Sequence, residues 1–206
     1  MKISVSFIKS KYNEKETIKL IDKTDADYLH VDIMDGKFVE QKNYSFKEIK
    51  RLVKYSTKKL DVHLMCENPS KYIKDYALLN TQYLTFHFEA VKNPNEIINE
   101  IHSYGIKCGI SIKPSTLVES LKPYINNIEQ VLVMSVEPGK GGQEFMSDIA
   151  FKIDQLQEMN SNFIVSVDGG INNETINHVK NADMVVSGSY VCLSDNYQEK
   201  IDNLRN

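Results

Sequence analysis

Two segments of this chain place polar groups two residues apart within apolar runs. One reads His30-Val31-Asp32-Ile33-Met34-Asp35-Gly36 and the other Asp61-Val62-His63-Leu64-Met65. On an extended strand, successive side chains point to opposite faces, so His30, Asp32 and Met34 share one side, as do His63 and Met65. A third apolar run, residues 163–167, leads into Asp168-Gly169-Gly170. Two imidazoles and two carboxylates from three strands could converge on a divalent metal ion. Imidazole suits zinc, iron or nickel, and carboxylates widen the choice to manganese. Any one of these residues could equally be a hydrogen-bonded member of a core. Four at strand ends are harder to read that way, because unpaired buried charge is costly.

Glycine forms the second group. Pro138-Gly139-Lys140-Gly141-Gly142-Gln143, Gly169-Gly170 and Gly188-Ser189 follow three consecutive apolar runs late in the chain. Glycine lets backbone N–H groups approach an anion closely, so the clusters suit a phosphate, although each alone would serve as an ordinary tight turn. Met34, Met65 and Met134 sit near strand ends, where they either fill a core or form a soft lining around a reacting carbon. His87-Phe88-Glu89 puts a further imidazole and carboxylate on one side, either behind the metal cluster or as a surface pair.

These groups need a scaffold. Strand candidates fall at residues 3–7, 28–34, 59–65, 83–88, 106–112, 130–136, 163–167 and 184–187. Helical stripes lie between them: Phe46, Ile49, Leu52 and Val53; Ile97, Ile98, Ile101 and Tyr104; Ile149, Ile153 and Leu156. Residues 174–180 and 197–204 are shorter helix candidates, and Pro69 and Pro94 mark helix entries. Strand–helix alternation predicts parallel strands with helical crossovers, and eight units in so short a chain suggest a closed (β/α)8 barrel. An open doubly wound sheet is the alternative, but no Gly-x-Gly-x-x-Gly follows the first strand. In a barrel the strand C-termini form the active-site face, and the proposed chemistry falls there.

The 206 residues and 41% hydrophobic content suit one soluble domain, residues 1–206, without linker or repeat. A barrel of this length must have lean loops, since about 250 residues is typical. The net charge of -3 comes from interspersed signs, so no basic stripe points to nucleic acid. Cys66, Cys108 and Cys192 are odd in number and lack CxxC spacing, which argues against a disulfide framework or zinc ribbon. No apolar run approaches the roughly 18 residues of a membrane helix, and the first residues do not resemble a signal peptide. The expectation is a cytoplasmic protein with neither nucleic-acid nor membrane partner.

The ordered set of motifs resembles the ribulose-phosphate 3-epimerases. It comprises Ser6, His30 to Gly36 with Phe38-Val39, Asp61 to Met65, and His87-Phe88-Glu89-Ala90. It continues with Gly109-Ile110-Ser111-Ile112-Lys113-Pro114-Ser115-Thr116, Val133 to Gly139, Gly141 to Phe145, Val167 to Ile171, and Gly188-Ser189. The resemblance implies a TIM barrel of the ribulose-phosphate-binding type. It implies a metal-dependent isomerase that interconverts D-ribulose 5-phosphate and D-xylulose 5-phosphate through an enediolate. One divalent ion (zinc, iron, manganese or cobalt) would be held by His30, Asp32, His63 and Asp168, with Asp32 and Asp168 also the acid/base pair. Ser6, His63, Met34, Met65 and Met134 would line the sugar. Gly141, Gly142, Gly169, Gly170, Gly188 and Ser189 would hold the phosphate, with Gly139 and Gln143 also binding the substrate. A homo-oligomer is also implied. Rivals are a D-allulose 6-phosphate 3-epimerase, a silent phosphosugar-binding barrel, and a related decarboxylase, whose Asp-x-Lys-x-x-Asp strand lacks its lysine here. The chain departs from the family pattern at Phe7-Ile8-Lys9, in a lengthened Glu40-Gln41-Lys42 stretch before Asn43, and at Lys140 in place of phenylalanine.

Overall fold

Eight strands, β1 (Lys2–Ser6), β2 (Tyr28–Met34), β3 (Lys59–Met65), β4 (Thr81–His87), β5 (Lys107–Ile112), β6 (Gln130–Met134), β7 (Ile164–Asp168) and β8 (Met184–Ser187), pair in parallel in sequence order. The last pairs with the first and closes a (β/α)8 barrel. The computed structural model describes residues 1–139, 143–159 and 162–206. Around the strands lie α1 (Glu14–Asp22), α2 (Phe46–Leu52), α3 (Ser70–Ala77), α4 (Pro94–Ser103), α5 (Ala150–Glu158), α6 (Ser189–Cys192) and α7 (Tyr197–Arg205).

The period-two pattern of each strand divides the barrel into two environments. Ile3, Val5, Leu29, Val31, Ile33, Leu60, Val62, Leu64, Leu84 and Phe86 belong to the large apolar core that also takes in the buried helix residues. The alternate positions, Ser4, Ser6, His30, Asp32, Asp61, His63, Thr85, His87 and Ser111, are buried and polar. Leu132, Met134, Val136 and Val186 form a separate, smaller apolar cluster. The outward faces thus supply the hydrophobic driving force, which leaves the other faces free to carry chemistry.

Local signals explain the helix ends. Asn13 caps α1 by accepting from the Glu16 N–H, and Ser45 with Glu48 forms a reciprocal capping box on α2. Pro94 opens α4, where its missing N–H costs no helical bond. Two expectations need correction. Residues 174–180 do not form an α-helix; Thr175–Val179 is a 3-10 segment that buries Ile176 and Val179. Tyr104 leaves the α4 stripe at the helix end and is 42% exposed. The crossover from β5 to β6 likewise uses only the 3-10 segments Val118–Leu121 and Ile125–Asn127. A 3-10 turn rises faster per residue than an α-helix and spans a crossover with fewer residues. This accounts for a full barrel in so short a chain. Among the described residues no helix is long and apolar enough to cross a membrane.

Candidate active site

β2 and β3 run side by side with His30 opposite Asp61 and Asp32 opposite His63. Asp168 ends β7, where it pairs in register with Met134 of β6. Closure of the barrel brings one ligand atom from each of His30, Asp32, His63 and Asp168 within 4.8 Å of one another. His30 Nε2 and His63 Nδ1 each lie 3.1 Å from Asp32 Oδ1. Asp168 Oδ2 is 4.0 Å from His30 Nε2 and 3.7 Å from His63 Nδ1. Around a tetrahedral ion with bonds of about 2.0–2.1 Å, donor atoms sit roughly 3.3 Å apart. The four side chains have the chemistry to hold a divalent cation, and their donor atoms, all within 4.8 Å of one another, lie close enough together to do so.

The four differ in access. Both imidazoles are fully buried, while Asp32 and Asp168 keep 9% and 18% of their side chains exposed. The carboxylates alone line the cavity above, together with Ser6, Met34, Met65 and Met134 on one part and Gly139, Gln143, Gly169, Gly170, Gly188 and Ser189 on another. The cavity measures about 160 Å³, sized for a small molecule. His63 does not line it. Gly141, Gly142 and Lys140 lie outside the described residues.

Electrostatics separate the carboxyl groups further. Burial raises the proton affinity of Asp32, but His30 and His63 outweigh it and hold this carboxyl well below the usual range. Burial and the neighbouring Asp32 push Asp168 up to about 6, against the pull of the two histidines. Burial disfavours a charged His30, yet Asp32 and Asp61 overcome it and raise this ring well above its ordinary value. Two carboxyl groups on one cavity thus differ in their readiness to hold a proton, as a paired acid and base require.

The glycines have steric reasons to be glycine. Gly169 has φ 121°, and a Cβ there would lie 2.7 Å from both Ser135 Oγ and Val136 Cγ2. Gly139 has φ 92°, and its Cβ would meet Val39 at 2.5 Å. Ser135 Oγ donates to the carbonyls of Asp168 and Gly169 at 2.9 and 2.5 Å, which anchors the turn that carries the carboxylate. The lengthened stretch after Val39 folds back on itself. Gly36 N–H donates to the Gln41 carbonyl, and Asn43 brackets β2 by accepting from Met34 N–H at 2.9 Å and donating to the Asp32 carbonyl at 2.8 Å.

Several residues at the site lay outside the sequence-based assignment. Asp61 is fully buried, where it accepts from His30 Nδ1 at 2.8 Å and from Ser4 Oγ at 2.9 Å. The signal for it was its place on the same strand face as His63. Ile8, Lys9, Gln41, Val136 and Glu137 also line the cavity. Lys9 and Gln41 come from the two segments that depart from the family pattern, so resemblance could not have supplied them.

Comparison with known proteins agrees with this geometry. The family model described as the ribulose-phosphate 3 epimerase family matches residues 2–192. The ribulose-phosphate 3-epimerase of Schizosaccharomyces pombe is 36% identical over 198 residues, covering 94% of this chain and 86% of that protein. The enzyme of that name from Helicobacter pylori is 38% identical over 189 residues, covering 89% and 87%. That from Mycobacterium tuberculosis is 37% identical over 186 residues, covering 87% and 81%. Among solved structures, N-(5'-phosphoribosyl)anthranilate isomerase from Pyrococcus furiosus superposes with TM-score 0.69 at 16% identity, covering 100% of this chain and 99% of that one. KGPDC from Streptococcus mutans reaches TM-score 0.74 at 14% identity, covering 99% and 95%. At those identities the likeness is one of fold.

Proposed function

The chain belongs to the ribulose-phosphate 3-epimerase family, and from that premise we propose that it interconverts D-ribulose 5-phosphate and D-xylulose 5-phosphate by removing and returning a proton at C3. Residues 1–206 act as one barrel domain. His30, Asp32, His63 and Asp168 hold one divalent ion, and this donor set accommodates zinc, iron, manganese or cobalt. The observation that carries the reading is that, of the four clustered side chains, the two carboxyl groups Asp32 and Asp168 both face one small cavity.

A hydrogen on carbon beside a ketone is weakly acidic, so its removal needs a base held in place and a means of spreading the resulting charge. Asp32 and Asp168, which both face the cavity, take the two roles and exchange them in the reverse direction. The divalent ion, when bound, supplies Lewis-acid stabilisation of the negative charge on the enediolate oxygens. Ser6 donates to Asp32 Oδ2 at 3.0 Å and holds that carboxylate in place. Met34, Met65 and Met134 present a dry, polarizable wall to the reacting carbon and keep stray water from reprotonating it. The glycine-rich end holds the phosphate through backbone N–H groups. Lys9 adds the one positive charge among the described residues that line the cavity. Phosphate binding remote from C3 orients the sugar.

The same reading expects a homo-oligomer in solution, which sedimentation velocity tests. The reaction is tested with metal-reconstituted protein and D-ribulose 5-phosphate in deuterated water, followed at C3 by NMR. Deuterium at C3 with D-xylulose 5-phosphate accumulating is the expected result. Binding without exchange, or exchange confined to a six-carbon ketose phosphate, overturns the assignment. Asp168→Asn is expected to fold and bind sugar phosphate while turnover falls by about 10²–10⁴, the usual worth of a positioned acid or base. Near-normal turnover in that variant overturns its role.

A further inference from the structure

His63 continues, on its far side, into a row of hydrogen bonds that proton transfer at C3 does not use, and whose role rests on the metal reading. His63 Nδ1 faces Asp32 and Asp168. Its other nitrogen, Nε2, lies 2.9 Å from Nε2 of His87. His87 Nδ1 lies 3.2 Å from Glu89 Oε2. The second oxygen of that carboxylate, Oε1, accepts the Lys113 N–H at 2.8 Å and the Thr116 hydroxyl. Lys152 Nζ donates to the carbonyls of Lys113, at 3.2 Å, and of Thr116, so this loop after β5 is itself held. Phe38 packs on the His87 ring with centroids 4.6 Å apart.

Proton counting gives the row a direction. Two facing ring nitrogens hold one proton between them: two protons repel, and none leaves two buried acceptors unpaired. A neutral imidazole carries one N–H. If His63 Nδ1 offers its lone pair to a metal, its proton sits on Nε2 and is donated to His87. His87 then accepts at Nε2, carries its own proton on Nδ1 and donates it to Glu89. A carboxylate can only accept, so once a metal takes the lone pair of His63 Nδ1, Glu89 fixes the sense of the row; without the metal, Asp32 Oδ1, 3.1 Å away, draws a further proton onto Nδ1. We propose that His87 and Glu89 are positioning residues that hold His63 in its Nε2–H tautomer, so that Nδ1 presents its lone pair to the metal. His30 reaches the same end by a shorter route, through Nδ1 and Asp61 directly.

Glu89→Gln is the sharpest test, because it keeps the shape and inverts the polarity. The Lys113 N–H can only donate, so the glutamine carbonyl stays on it and the amide nitrogen turns to His87 Nδ1. That nitrogen must then accept, and its proton moves to Nε2. His63 Nε2 becomes an acceptor in turn, and the His63 proton shifts to Nδ1, the atom the metal needs. The natural protein, Glu89→Gln and His87→Phe would be compared by chelator competition for zinc and by nitrogen-15 NMR of the histidine rings, zinc-loaded and stripped. Zinc affinity is expected to fall by about 10–100-fold in Glu89→Gln, the usual effect of losing a partner behind a ligand. In the stripped natural protein His63 Nε2 is expected to carry a proton, and in stripped Glu89→Gln to lose it and leave the ring protonated on Nδ1 against Asp32; in stripped His87→Phe, with no partner at Nε2, the proton is likewise expected on Nδ1. A merely structural role would not move the tautomer. If His87→Phe does not fold, Glu89→Gln carries the test alone. An unchanged His63 tautomer with unchanged zinc affinity in folded variants overturns the proposal. Failure of the natural protein to bind zinc, manganese, iron or cobalt overturns the metal reading itself, and this inference with it.

Discussion

Gly169 shows how a single residue can decide whether the site forms. Its φ of 121° lies where side-chain-bearing residues are strained, and a methyl group there would press on Ser135 Oγ and Val136. Gly169→Ala is expected to cost about 1–3 kcal/mol in stability, the range for a residue forced into a sparsely populated conformation. It should also lower turnover, because the turn that would shift carries Asp168. Chemical denaturation and steady-state assay of the same variant measure both effects, and an alanine variant of full stability would show that the turn can relax. Asp61 makes the complementary point: it stands opposite His30 in the β2–β3 register, yet only the bond to Nδ1 reveals what it does.

At the scale of elements, the barrel saves length where its outer layer is thinnest. Leu121 lies in a 3-10 segment and is fully buried, as are Ile49 of α2 and Ile101 of α4. Leu121→Ala is therefore expected to cost about 2–5 kcal/mol, as for a leucine in a packed core. A loss well under 1 kcal/mol would mark this crossover as a loose cover, and urea denaturation distinguishes the two. The β2, β3 and β8 bounds match the residues read from the hydrophobic pattern, because turn residues flank those runs. The start of β4 came earlier than expected, at Thr81, where pairing with Leu60 of β3 extends the ladder beyond the apolar run. Residues 174–180 have an apolar spacing that a 3-10 turn satisfies as well as an α-helix, so pattern alone could not separate them.

For the whole molecule, an ion held by the four-residue cluster would couple metal binding to the fold. The cluster draws donors from β2, β3 and β7, so an ion bound there links strands that are far apart in sequence. A ligand that binds only the folded state adds about 2.7 kcal/mol of stability at a hundred times its dissociation constant. Chelation is thus expected to lower the thermal midpoint, and zinc or manganese to restore it. An unchanged midpoint, with activity retained after exhaustive chelation, would count against the assigned ligand set.

Some of this was legible in the linear chain for a definite reason. Side-chain alternation is local, so His30, Asp32 and Met34 share a face in any strand, and the same holds for His63 with Met65. The order of motifs and the alternation of strand and helix likewise required no coordinates. Tertiary structure alone decided the rest. Donor spacings of 3.1 to 4.0 Å depend on closure and register between distant strands. The contact between His63 and His87 depends on β3 and β4, whose pairing shifts register between Leu60 and Asp61. The unequal proton affinities of Asp32 and Asp168 arise because the fold buries one carboxyl between two imidazoles and sets the other against its charge. Such effects grow as water is excluded, and no sequence pattern states how much water a side chain keeps.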